Sequence, residues 1–126
     1  MRIRVYYEDT DVGGIVYHAN YIKYCERARS EVFFAKGIKP LSDGGAGFVV
    51  RRLEAEFIGV AKLGDILEVK SRVLNIKRSI VLLKQSIYNE SNCIFDAMIT
   101  LVYIKNGKPF SIPNNIKDII EGMDTF

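Results

Sequence analysis

The chain has 126 residues, 48% hydrophobic and 26% charged, which fits one globular domain over residues 1–126 with a core of its own and leaves no room for two. Its net charge of +3 is mild and its Lys and Arg residues are dispersed, so duplex nucleic acid is a poor partner. Two cysteines with a single histidine fall short of a structural zinc site, and no metal is expected.

The opening MRIRVYYEDT has no apolar centre, so a signal peptide is not expected, and no apolar run approaches the roughly 20 residues of a membrane span. The expectation is a cytoplasmic protein with reduced thiols and no membrane insertion.

In residues 2–7 Arg2 and Arg4 alternate with Ile3 and Val5, the pattern of a short strand with one wet face. Tyr7 to Gly14 holds Asp9, Thr10, Asp11 and the Gly13-Gly14 pair, residues that favour turns, so a loop is expected. From about Tyr17 the spacing becomes helical, with Tyr21, Cys25, Ala28, Val32 and Ala35 in one apolar stripe. Lys23, Arg27 and Glu31 fall on the other side, Arg27 and Glu31 being spaced for an ion pair, and Gly37 provides the stop.

Residues 37–47 carry four glycines and a proline and read as a loop; no Lys-Ser or Lys-Thr follows them, so they are not a nucleotide P-loop. Four strands are then predicted. Residues 48–58 set Val49, Leu53, Ala55 and Phe57 against Arg52, Glu54 and Glu56, and residues 66–74 set Leu67, Val69 and Val73 against Glu68, Lys70 and Arg72. Residues 80–89 alternate Val81, Leu83 and Ile87 with Lys84 and Ser86, and residues 94–104 line up Phe95, Ala97, Ile99, Leu101 and Tyr103. Bends fall at Gly59 to Asp65, Asn75 to Ser79 and Asn89 to Asn92, and Asn106-Gly107 is a tight-turn pair. Pro113 opens a short helix with Ile116, Ile119 and Ile120 on one face and Gly122 as its stop. The order is that of an α+β domain, an antiparallel sheet covered by one long helix.

The polar chemistry concentrates between Tyr7 and Arg29. A helix N-terminus has unpaired amides and a partial positive charge, so a glycine-rich loop leading into it makes a pocket able to polarise a carbonyl. Asp11 sits beside that pocket, and a carboxylate next to convergent amides is minimal equipment for acyl hydrolysis. From spacing alone an Asp before glycine more often serves its own turn. A G-x-S-x-G elbow is absent, and a serine triad would have to recruit His18.

Tyr7, Thr10, Asp11, Gly14, Val16, Tyr17, His18, Asn20, Tyr21, Glu26 and Arg29 together resemble the signature of the YbgC-type acyl-CoA thioesterases, relatives of 4-hydroxybenzoyl-CoA thioesterase with the hot-dog fold, in which the sheet wraps the helix. The resemblance implies acyl-CoA as substrate, with acyl-carrier protein an open alternative as thiol carrier, and no metal or organic cofactor. It implies Asp11 as the catalytic carboxylate, attacking the thioester or activating water, with the amides around Gly14 and His18 holding the oxyanion. The aromatic-acyl relatives carry tyrosine where this chain has His18.

Glu26 is a secondary candidate, because a helical Glu serves some hot-dog thioesterases; a structural pair with Arg29 is its ordinary reading. Arg78 and Ser79, with Lys77 beside them, match a basic strand end near the phosphates of coenzyme A. The resemblance further implies a homodimer or homotetramer with sites at subunit boundaries, and an association with the Tol-Pal envelope system. Two other readings stay open: a non-catalytic module holding an acyl thioester or acyl-carrier protein, and a hydroxyacyl thioester dehydratase.

Overall fold

A computed structural model describes residues 1–125. The strands are β1 (Arg2–Arg4), β2 (Gly47–Phe57), β3 (Ile66–Ile76), β4 (Ile80–Asn89), β5 (Asn92–Lys105) and β6 (Lys108–Pro109), and the helices are α1 (His18–Phe34) and α2 (Asn114–Glu121). All strands join one antiparallel sheet in the order β1-β3-β4-β5-β2, with β6 folded back on the end of β5. This is the α+β hot-dog arrangement, with α1 covering one face.

Alternation explains which face is covered. Phe95, Ala97, Ile99, Leu101 and Tyr103 of β5 are buried, as are Val81, Leu83 and Ile87 of β4 and Leu67 and Val69 of β3. Each fully buried side chain of this kind contributes roughly 1.5–3 kcal/mol. From α1 come Tyr21, Tyr24, Cys25, Ala28, Val32 and Phe33. The small Cys25 and Ala28 let the helix approach so closely that Gln85 Nε2 of β4 reaches the Cys25 carbonyl at 3.1 Å. Ala35 departs from the expected stripe: it caps the helix and is exposed. Gly37, at φ +70°, turns the chain away.

Strand β2 differs from its alternation. Phe48, not Val49, faces the core, its ring 6.5 Å from Phe33 and 5.1 Å from Tyr103, while Val49 is 43% exposed. A register shift between Val50 and Arg52 is the cause: one extra residue reverses every side chain before it. A second shift lies between Val73 and Asn75 of β3. The expected Arg27–Glu31 pair is not among the ion pairs of the described residues; the Arg27 guanidinium instead stands 5.8 Å from the Tyr24 ring centroid. Asn106 and Gly107 take φ of +54° and +74°, as a two-residue hairpin requires.

Candidate active site

The loop before α1 is fastened from beneath by Asp9. This side chain is 6% exposed, and its Oδ2 accepts the Tyr6 amide at 2.9 Å. Its carbonyl accepts both the Tyr17 amide and Asn20 Nδ2 at 2.9 Å, tying the loop to the start of the helix. Tyr24 lies fully buried below with no hydrogen-bond partner of good geometry for its hydroxyl. Burial, and then the nearby Asp9 carboxylate, push that phenol well above its ordinary range.

Two residues on, Asp11 points the other way and is exposed. Its Oδ1 accepts the Gly13 amide at 2.9 Å, its carbonyl accepts the Gly14 amide at 3.0 Å, and its own amide donates to the Ile15 carbonyl at 2.9 Å. A bridge between Thr10 and Val16 closes the turn. From above, the segment between β2 and β3 straps it down: the Val16 amide donates to the Ala61 carbonyl at 2.9 Å, and the Ala61 amide donates to the Tyr21 hydroxyl at 3.0 Å. Tyr21 is thus core and strap, stacked 5.6 Å from Phe95.

Gly14 sits at φ +75° with nothing within 4 Å of where a Cβ would stand. Its amide is committed to the Asp11 carbonyl, so the expectation that it holds an oxyanion needs revision; its contribution is the left-handed turn. Gly14→Ala should cost about 1–2 kcal/mol through backbone strain alone, read as a lowered denaturation midpoint with the helix content intact.

His18 is the first residue of α1 and is exposed, its ring 4.5 Å from Tyr17 and 6.0 Å, edge-on, from Phe57. The Asn20 amide already bonds the Tyr17 carbonyl at 2.9 Å. The amides of His18 and Ala19 precede the intrahelical ladder and are open donors. The open donors of this loop-to-helix segment therefore belong to the helix start.

The other expected residues are not gathered here. Glu26 lies eight residues beyond His18, about 12 Å along the helix, and its Oε1 accepts the Ser30 hydroxyl at 2.6 Å. It does not pair with Arg29, whose Nη1 donates to Gln85 Oε1 at 2.8 Å. Lys77, Arg78 and Ser79 form the β3–β4 hairpin, with the Lys77 amide on the Ile80 carbonyl and Arg78 Nε on Ser111 Oγ, both at 2.8 Å. That hairpin is at the far end of the sheet: β2 pairs Phe57 with Phe95 at the His18 end, and β4 pairs Ile80 with Val102. Seven strand residues span about 24 Å.

Asp9, Asn20 and Gln85 carry roles the sequence reading missed. Gln85 had a signal in its parity, since it shares the inward face with Leu83 and Ile87. The Cys25 thiol is no rival nucleophile: burial pushes it up to about 12, so it stays protonated. A maleimide at mildly alkaline pH should label Cys93 in the native protein and reach Cys25 only after denaturation, checked by peptide mass.

Comparison with known proteins agrees with this fold. Residues 13–93 match the thioesterase superfamily. The chain is 39% identical to the acyl-CoA thioesterase YbgC of Helicobacter pylori, over 98% of this chain and 100% of that protein. Among solved structures, a probable thioesterase from Bartonella henselae superposes with a TM-score of 0.84 at 32% identity, over 90% of this chain and 97% of that one. A Thermus thermophilus thioesterase crystallised with coenzyme A and zinc superposes with a TM-score of 0.80 at 27% identity, covering 95% and 94%. A match over most of the sequence, on a fold of this order with the loop feeding a helix start, has one reading: the chain belongs to the thioesterase superfamily, on its YbgC-type branch.

Proposed function

We propose that this protein hydrolyses acyl-CoA thioesters to a free acid and coenzyme A. The observation that carries the reading is the exposed Asp11 carboxylate, held in the Gly13-Gly14 turn of the loop that leads into the open amides of the α1 N-terminus. The thioester oxygen would lie on the His18 amide, where the helix start stabilises the negative charge that develops as the carbonyl carbon becomes tetrahedral. Asp11 either attacks that carbon, giving an acyl-enzyme anhydride that water opens, or removes a proton from the attacking water. Either route expels the coenzyme A thiolate. The chemistry needs no metal or organic cofactor, and the His18 ring is free to orient water or substrate.

Support for coenzyme A as thiol carrier comes from the names of the YbgC relatives and from the coenzyme A complex of the Thermus structure. The hairpin of Lys77, Arg78 and Ser79 would take its phosphates. Because the hairpin and the loop lie at opposite ends of one sheet, a homodimer or homotetramer with sites between copies suits the reading, and the open edge of β2, with Val49, Val50 and Phe57 exposed, is a surface for it. Among the described residues no helix is long and apolar enough to cross a membrane; a cytoplasmic setting and a Tol-Pal association belong to the proposal.

The test is thiol release from short, long and aromatic acyl-CoA thioesters and from acyl-carrier protein, with Asp11→Asn alongside. Turnover lost in the variant supports hydrolysis. Binding without thiol release would leave Asp11 as the turn residue its Gly13 bond suggests and favour a holding module; a changed acyl chain on an intact thioester would mean dehydration.

A further inference from the structure

The N-terminus of α1 is held without a cap of the ordinary kind. A Ser, Thr, Asp or Asn in that place would bond the first amides of the helix; here the residue is Tyr17, and its side chain makes no capping bond. The donors at His18 and Ala19 stay open as a result. Asn20 does the holding instead by reaching back out of the helix: its amide donates to the Tyr17 carbonyl and its Nδ2 to the Asp9 carbonyl, both at 2.9 Å. One residue thus grips both sides of the joint between loop and helix.

The loop itself is a small hairpin. Its rungs, the Asp11 amide on the Ile15 carbonyl and the Tyr17 amide on the Asp9 carbonyl, are both 2.9 Å. The strap fastens the return arm, through the bond from Val16 to Ala61; Asn20 fastens the outgoing arm, which carries Asp11 two residues beyond Asp9. The point it grips is rigid, because Asp9 is 6% exposed, its amide donates to the Tyr6 carbonyl at 3.0 Å and its carboxylate accepts the Tyr6 amide. One turn beyond Asn20, Tyr24 is completely buried and, among the described residues, its hydroxyl finds no partner. A sealed, unpaired hydroxyl lowers stability, so stability is not what this joint maximises.

We propose that Asn20 is a positioning residue of the hydrolysis, setting through the Asp9 carbonyl where Asp11 stands relative to the His18 amide. The inference rests on the acyl-CoA reading and adds the device that keeps its two working groups in step. A carboxylate on a loop and a donor on a helix act on one carbonyl only if the two segments move as one body, and a misplacement of about 1 Å is worth about 100-fold in rate. The side chain of Asn20 supplies that link and leaves the helix donors open.

Asn20→Leu removes the donor at similar volume and with a better helix former, so the fold should hold, with a melting temperature within about 5 °C of wild type. Its kcat on acyl-CoA should fall about 10- to 100-fold with KM within about twofold, because alignment is lost and substrate contacts are not. Asn20→Ala lacks the same donor and must show the same loss; a loss confined to one of the two variants is a misfit of that side chain and overturns the proposal. Hydrogen exchange without substrate should quicken about two- to tenfold at the Gly14 and Tyr17 amides, the scale of one hydrogen bond, and stay at the wild-type rate at Ala28 and Val32. Wild-type kcat in both variants sinks the positioning role, as does a raised KM at unchanged kcat. So does a turnover loss that vanishes on cooling below a lowered melting point, since Asn20 would then serve stability alone. The two readings fail separately: an inactive Asp11→Asn beside a fully active Asn20→Leu leaves hydrolysis standing and the positioning role wrong. A wild type that releases no thiol removes hydrolysis; quickened exchange at Gly14 and Tyr17 then upholds the joint, and unchanged exchange removes that as well.

Discussion

Asp11→Asn should lower kcat by about 100- to 10,000-fold, the range a positioned acid or base supplies, and leave the melting temperature within about 2 °C of wild type. The second half follows from geometry. Asp11 is exposed, and among the described residues the only hydrogen bond of its side chain is the 2.9 Å acceptance of the Gly13 amide. An asparagine oxygen can keep that bond, so the turn survives, and surface substitutions of this kind stay within about 0.5 kcal/mol. What the amide cannot do is act as nucleophile or take a proton from water, whichever the step requires. His18→Ala gives the contrast: it deletes the ring and keeps the backbone N–H at the helix start, so its loss should be smaller than that of Asp11→Asn. Kinetics on one acyl-CoA with a melting curve for each variant decide the matter. A fully active Asp11→Asn would make the carboxylate a turn residue and remove the chemical core of the proposal.

How much of this was legible in the sequence depends on the range of the interaction. The inward row Phe95, Ala97, Ile99, Leu101 and Tyr103 was readable because strand alternation is local, and α1 because its stripe repeats along one element. The loop was readable from Asp11, Gly13 and Gly14, since turn formation is also local. The facing of Val49 was misread because a bulge is decided by what pairs across the strand, here Val50 and Arg52 against Leu101 and Thr100, and nothing in the residues of β2 marks it. Glu26 and Arg29 suggested a helical ion pair by spacing; the guanidinium instead turned inward to Gln85, some 56 residues away. Asp9 and Asp11 look alike in the sequence as turn formers. Only the tertiary fold separates them, one buried under the loop with the Tyr6 amide, the other facing solvent. The hairpin of Lys77 to Ser79 was found as a basic turn, but its distance from Asp11 is set by sheet order, which no local pattern records.

Gln85→Leu should cost about 3 kcal/mol of stability, the upper range for stripping a buried charged group of its partner, seen as a fall of about 1–3 M in the urea midpoint. Gln85 is completely buried, and its amide makes three bonds at once: Oε1 accepts from Arg29 Nη1 at 2.8 Å, and Nε2 donates to the Cys25 carbonyl at 3.1 Å and to Ser71 Oγ at 3.0 Å. No carboxylate pairs with Arg29 among the ion pairs of the described residues, and burial pushes its guanidinium below its ordinary range. Leucine fills nearly the same volume, so the cost is one of polarity and not of packing: it leaves a desolvated cation facing an apolar side chain. That argument makes a second, sharper forecast. Removing the cation as well, in Gln85→Leu/Arg29→Met, should restore more than half of the loss, because replacing both members of a buried polar pair by apolar groups of similar shape is nearly neutral. Urea unfolding of wild type, both single variants and the double variant closes the cycle. A double variant whose loss is merely the sum of the singles would mean that Gln85 acts through the Cys25 carbonyl and Ser71, as a clamp between α1 and the sheet, and that Arg29 finds water when its partner is taken away.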